Sequence, residues 1–188
     1  MNQLIENITK IIELEQRELE LINSVIRHRE LGKKEVILRP GQVCRSTIFV
    51  SKGCLRSYYL KEGEYQILEF AVDNWWIGDL KSFLRQTPSD LFVDAVEQTQ
   101  ILQISHQQLT TLYEKIPRLE RFFRILTENA LVAHQERILH SHTLSAKQRY
   151  ELFIQKYPGF YNSIPQKDIA NYLGITPEYL SSLRGQRV

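Results

Sequence analysis

Between residues 35 and 105 no apolar run lasts more than about eight residues before a glycine or a charged turn ends it, while on both sides of this stretch the apolar spacing is helical. A chain with this pattern has to fold as helices around a set of short strands. The strand runs are Glu35–Leu38, Ser46–Ser51, Cys54–Leu60, Tyr65–Val72, Leu91–Val96 and Gln100–Ser105. They are rich in β-branched and aromatic residues, and Arg39-Pro40-Gly41-Gln42, Lys52-Gly53 and Lys61-Glu62-Gly63-Glu64 separate them as turns. Short strands at even spacing predict a compact antiparallel roll or barrel. Gly78–Arg85 reads as one helical turn within it.

Residues 1–29 predict helix, with a break near Gln16-Arg17, because Leu4, Ile5, Ile8, Ile11, Ile12, Leu19, Ile22 and Ile26 recur at helical spacing. Helix returns at Gln107–Ile116 and again from Pro117 toward His142. In the second of these, Leu119, Phe123, Leu126, Ala130 and Ala133 alternate spacings of four and three, the seam of a coiled coil. Such a seam packs on its own domain or on a second chain. His142-Thr143-Leu144 reads as a hinge. Ser145 with Gln148 forms a capping box for a helix that runs to about Lys156.

Residues 164–188 carry the most specific local pattern. Pro165 suits a helix start, Ile169, Ala170 and Leu173 share a face, and Gly174 permits the left-handed turn that ends the helix. Thr176 is a good N-cap, Pro177 fits the first helical position, and Leu180 and Leu183 point inward from the second helix. Two short helices with a small residue where they meet make a helix-turn-helix. The second helix of such a unit enters the DNA major groove. Its outward residues are Pro177, Glu178, Ser181 and Ser182, with Tyr179 beside them. Glu178 suits a cytosine amino group and the serines suit several bases. Lys167, Thr176, Arg184 and Arg187 suit phosphates.

Composition sharpens this. The 188 residues carry 24 basic and 22 acidic side chains, a net charge of +2, which excludes a polybasic tail and an acidic disordered chain. The total hides a split. Residues 143–188 hold six cations against three carboxylates, and residues 1–142 hold 18 against 19. The surplus sits with the helix-turn-helix, as phosphate binding requires. No apolar run reaches the ~20 residues of a membrane helix, and the charged N-terminal segment is not a secretory signal. Cys44 and Cys54 are not in a CxxC pair and have no activating base nearby in sequence, so ordinary buried thiols and a reduced, cytoplasmic setting are expected. His134, His140 and His142 lack a common helix face and a completing carboxylate, so no metal site is expected. No nucleophile–base pairing, P-loop or dinucleotide fingerprint occurs, and no catalytic residue is assigned.

On these residues the whole chain resembles the Crp–Fnr family of bacterial transcription regulators. The best local marks are Ile48–Gly53, Ile77-Gly78-Asp79-Leu80 and residues 164–184. The resemblance implies an α+β fold: N-terminal helices, a cyclic-nucleotide-binding-like antiparallel β-roll, a long dimerisation helix and a C-terminal helix-turn-helix. It implies a sensor domain over 1–142, with the dimerisation helix at about 117–142, and a DNA-binding domain over 143–188. It further implies a homodimer on a two-fold-symmetric operator, with Leu119, Phe123, Leu126, Ala130 and Ala133 at its interface and RNA polymerase among its partners. The family's phosphate cassette falls on Gly78, Asp79, Leu80, Ser89 and Asp90. Its usual Glu is Asp79 here, and its Arg-Ser or Arg-Thr pair is Ser89-Asp90. A cationic clamp is thereby replaced by a neutral residue and an anion, so cyclic AMP is not expected to bind. No cofactor is expected, and any small-molecule effector is unassigned. The cysteine cluster that holds an iron–sulfur centre in oxygen-sensing relatives has no counterpart, and neither does a haem ligand pattern. The family's recognition-helix arginine is Ser182, and with the sequence ending at Val188, a few residues past that helix, the β-wing that often follows it is not expected.

Overall fold

The computed structural model describes residues 2–159 and 162–185. The helical start is shorter than its apolar spacing suggests. Helix α1 spans Gln3–Thr9, capped by the Asn2 side chain, and α2 spans Gln16–Val25, opened by a capping box between Glu15 and Glu18. Residues 27–29, expected as the end of the helical start, instead belong to strand β1 (Arg27–Leu31). Four consecutive exposed polar residues there carry no strand alternation, so pairing with another strand, not pattern, decides their state.

The strands that follow are β2 (Val36–Leu38), β3 (Ser46–Lys52), β4 (Leu55–Lys61), β5 (Glu64–Ala71), β6 (Trp76–Ile77), β7 (Phe92–Ala95) and β8 (Thr99–Ser105). A short helix, α3 (Leu80–Arg85), lies between β6 and β7. All pairings are antiparallel, in two four-stranded sheets ordered β1-β8-β3-β6 and β2-β7-β4-β5. Leu31, Phe49, Val50 and Ile101 from the first sheet and Leu38, Leu55, Val93 and Ala95 from the second share one core with α1 and α2, as a roll requires. Ile48 to Ser51 are buried in succession because both faces of β3 are covered, one by the roll interior and one by the helices.

Helix α4 (His106–Lys115) opens with a Ser105–Gln108 capping box, and α5 runs unbroken over Arg118–Thr143. The N-terminal end of α5 packs on the same core: Leu119 and Phe122 are buried, and Phe123 and Leu126 lie against it. Trp76 sits in an aromatic cluster with Phe49, Phe122 and Phe123 and donates its indole N–H to Asn7.

Helix α6 (Ala146–Lys156) starts at the expected Ser145–Gln148 box. Helices α7 (Gln166–Leu173) and α8 (Pro177–Gly185) follow. A second core draws on both sides of residue 143. It joins Cys54, Ile67, Phe70, Val72 and Val96 of the roll to Tyr150, Phe153, Tyr157, Ile169, Leu173, Leu180 and Leu183 of the C-terminal helices. Phe70 makes edge or tilted ring contacts with Phe153, Tyr157 and Tyr172, so aromatic packing welds the two parts.

Candidate nucleic-acid interface

The turn between α7 and α8 is built as its residues dictate. Gly174 takes φ +66°, and its N–H and that of Ile175 satisfy carbonyls at the end of α7. The Thr176 hydroxyl accepts from the Tyr179 N–H at 3.2 Å, capping α8, and Pro177 occupies the first helical position. Pro165 sits one step earlier than expected, as the N-cap of α7 and not its first residue. Ala170, Leu180 and Leu183 are buried where the helices cross.

Burying that face turns the other outward. Pro177, Glu178, Tyr179, Ser181 and Ser182 are all exposed along α8, with Thr176 exposed at its start. They form one continuous polar surface of the kind that meets base edges. Arg184 is half-buried in the last turn of α8. Lys167 is exposed, and its ammonium stands 5.7 Å from the centre of the Tyr65 ring. Arg187 lies outside the described residues. Asp168, one of the three carboxylates of the C-terminal region, faces inward: it is 2 % exposed and paired with Arg56. The outward charge of the reader is thus more positive than its sequence count.

The roll's phosphate cassette is closed on itself. The Asp79 carboxylate accepts from the Ser82 N–H at 3.0 Å, capping α3, and from the Ser89 hydroxyl at 2.8 Å. The Ser82 hydroxyl in turn donates to the Thr87 carbonyl and accepts from the Cys44 N–H. Asp79, Ser82 and Ser89 are buried, and no buried polar side-chain atom among the described residues lacks a partner. Gly78 opens this turn, but Leu80 and Asp90 do not join it. Leu80 is half exposed, and Asp90 turns out to bridge Lys81 at 2.7 Å. The anion that faces the cassette is therefore Asp79, not Asp90.

The expected interface seam on α5 divides. Leu119 is 1 % exposed, and the partly buried Phe123 and Leu126 pack against the same roll core. Ala130 is exposed and Ala133 half-buried. The solvent side of α5 instead shows Leu131, Val132, Ile138 and Leu139, each more than half exposed. Leu131 and Ile138 are seven residues apart, as are Val132 and Leu139, so the pairs form two adjacent apolar ridges. That face was missed because a seam in sequence does not say what it packs against.

Between β5, α5, α6 and α7 lies a cleft of about 970 Å³, lined among others by His134, Arg137, Arg149, Lys156 and Tyr172. Its cations are occupied: Arg137 donates to the carbonyls of Ile67 and Leu68 and lies over the Tyr172 ring, and Arg149 donates to those of Leu144 and Leu173. Burial, then the Arg137 and Lys156 charges, hold His134 below its ordinary pKa. Burial pushes the thiols of Cys44 and Cys54 up, away from the reactive thiolate.

Residues 28–116 match the family model of the cyclic nucleotide-binding domain. The chain is 30% identical to the Anaerobic regulatory protein of Aggregatibacter actinomycetemcomitans, over 92% of this chain and 72% of that one. It is also 30% identical to Regulatory protein HlyX of Actinobacillus pleuropneumoniae, over 92% and 77%. Among solved structures, FixK2 of Bradyrhizobium japonicum superposes with a TM-score of 0.75 at 20% identity, covering 86% of this chain and 84% of that one. A roll with a closed cassette, a long helix and a helix-turn-helix, in a chain with these relatives, belongs to the Crp–Fnr family of transcription regulators. An iron–sulfur centre takes four protein ligands, usually cysteines, and two buried, protonated thiols do not fit one.

Proposed function

We propose that the protein regulates transcription as a homodimer on a two-fold-symmetric DNA site, with α8 of each chain in the major groove. The single observation that carries this is the exposed polar face of α8 from Thr176 to Ser182, on a turn capped as a helix-turn-helix is. Glu178, Ser181 and Ser182 read bases, and Thr176, Lys167, Arg184 and Arg187 contact phosphates. The ridges of Leu131/Ile138 and Val132/Leu139 join two copies, which sets the recognition helices near the ~34 Å spacing of successive major grooves. The control signal does not enter as cyclic AMP, a reading supported by the Asp79 carboxylate, bonded to Ser89, standing where a phosphate would need a cation.

Selection of bound sequences from a random duplex pool tests the reading. The expected product is an inverted repeat with half-sites one helical turn apart, and recovery of no motif overturns it. A second reading is favoured by the closed cassette: a regulator with no small ligand, governed by abundance. A thermal-shift screen of metabolites separates the two, since a sensor gains stability with its effector. A third reading, a purely structural helix-turn-helix in a protein-interaction module, predicts no salt-dependent DNA binding.

A further inference from the structure

Helix α7 is held to the roll by a set of polar contacts that its sequence pattern does not require. Arg56 of β4 binds Asp94 of β7 through two N–H groups at 2.7 and 3.1 Å and reaches Asp168 of α7 with a third at 2.6 Å. The Tyr65 hydroxyl donates to the other Asp168 oxygen at 2.8 Å. One turn on, the Asn171 amide donates to the Tyr65 carbonyl and accepts from the Ile67 N–H, both at 2.7 Å. Strand β5 is the edge of its sheet, so Asn171 supplies what a further strand would. Asp168 is buried in this contact, and a buried charge held by a bidentate-capable arginine is costly to expose alone.

We propose that this contact is an autoinhibitory latch between reader and roll. The inference rests on the DNA-binding reading above. In a bound helix-turn-helix the first helix crosses the DNA backbone. Here the N-terminal turn of that helix is lodged against the β4–β5 hairpin, with the Lys167 ammonium over Tyr65. Glu62 lies in the hairpin turn, and Glu64 opens β5 immediately before Tyr65. A phosphate brought to Lys167 in the latched state comes up against the β4–β5 hairpin on which that ammonium rests, so tight binding requires α7 to leave the roll. Any signal that loosens β4–β5 then raises DNA affinity.

The test uses the full chain and a labelled mixed-sequence duplex of about 40 base pairs at low salt. Tyr65→Phe combined with Asn171→Ala removes latch contacts without changing charge. The variant is expected to bind the duplex about fivefold more tightly or better. In the wild type, hydrogen exchange at the Ile67 amide is expected to be slow in free protein and faster with saturating duplex. Equal affinities, with Ile67 protected on and off DNA, overturn the latch while leaving DNA binding intact. Absence of binding by both proteins overturns the DNA-binding reading and the latch with it.

Discussion

Two residues show how single positions carry cost in this fold. Gly53, in the turn between β3 and β4, has φ +102°, and a Cβ there would come within 2.7 Å of the Thr99 hydroxyl and 2.8 Å of the Gln98 carbonyl. Gly41 also has a positive φ, +85°, but open space around it. Gly53→Ala is therefore expected to cost ~2–4 kcal/mol and Gly41→Ala only about 1, read from urea midpoints. Glu69 on β5 is the second case. Burial of its carboxyl pushes the pKa up to about 7, against the Ser57 hydroxyl and the charges of Lys156 and Arg137. The unfolded chain releases this proton near 4.5 and the folded one near 7, so the folded state holds more protons across that window. Stability contributed by this group therefore falls as pH rises from about 4.5 to 7 and is flat above. Glu69→Gln is expected to remove that slope and stabilise the protein at pH 8. At ~1.4 kcal/mol per pKa unit the gain is on the order of 1–3 kcal/mol, measured by denaturant titration at pH 5 and pH 8.

At the scale of elements, helix α5 carries two apolar faces. Leu119, Phe123 and Leu126 pack on the roll, while Leu131, Val132, Ile138 and Leu139 on the other side are each more than half exposed. Leu131→Glu with Ile138→Glu is expected to yield a folded monomer at ~10 µM by sedimentation velocity, while Leu126→Ala lowers the melting temperature and leaves the association unchanged. What was legible in sequence follows the same divide. Ser145, Gly174 and Thr176 act through bonds to residues within five positions, so their helix ends were readable. Strand β1 was not, since Arg27, His28, Arg29 and Glu30 are exposed and become a strand only by pairing with β8. The cassette was half readable: counting placed Ser89 beside Asp79, but no count reveals that Asp90 turns out to Lys81. The Arg56–Asp168 pair joins residues 112 apart and had no sequence signal.

For the whole molecule the question is how a chain with a net charge of only +2 holds DNA. The structure answers by location: Asp168 is neutralised inside the roll contact, while Lys167 and Arg184 sit on the reader. Each phosphate neutralised releases counterions, so the logarithm of the binding constant falls against the logarithm of salt with a slope of about −0.9 per contact. The proposed homodimer doubles every contact. Arg184→Ala is thus expected to flatten the slope by about 2, measured by fluorescence anisotropy from 50 to 200 mM salt, and to weaken binding uniformly across sequences. Ser182→Ala should leave the slope unchanged and alter only the preferred sequence. Lys167 gives the discriminating result. If α7 leaves the roll on DNA, Lys167→Ala also flattens the slope by about 2. If α7 stays docked with Lys167 over Tyr65, the slope does not move, and the basic surplus of the reader acts through α8 and its flank alone.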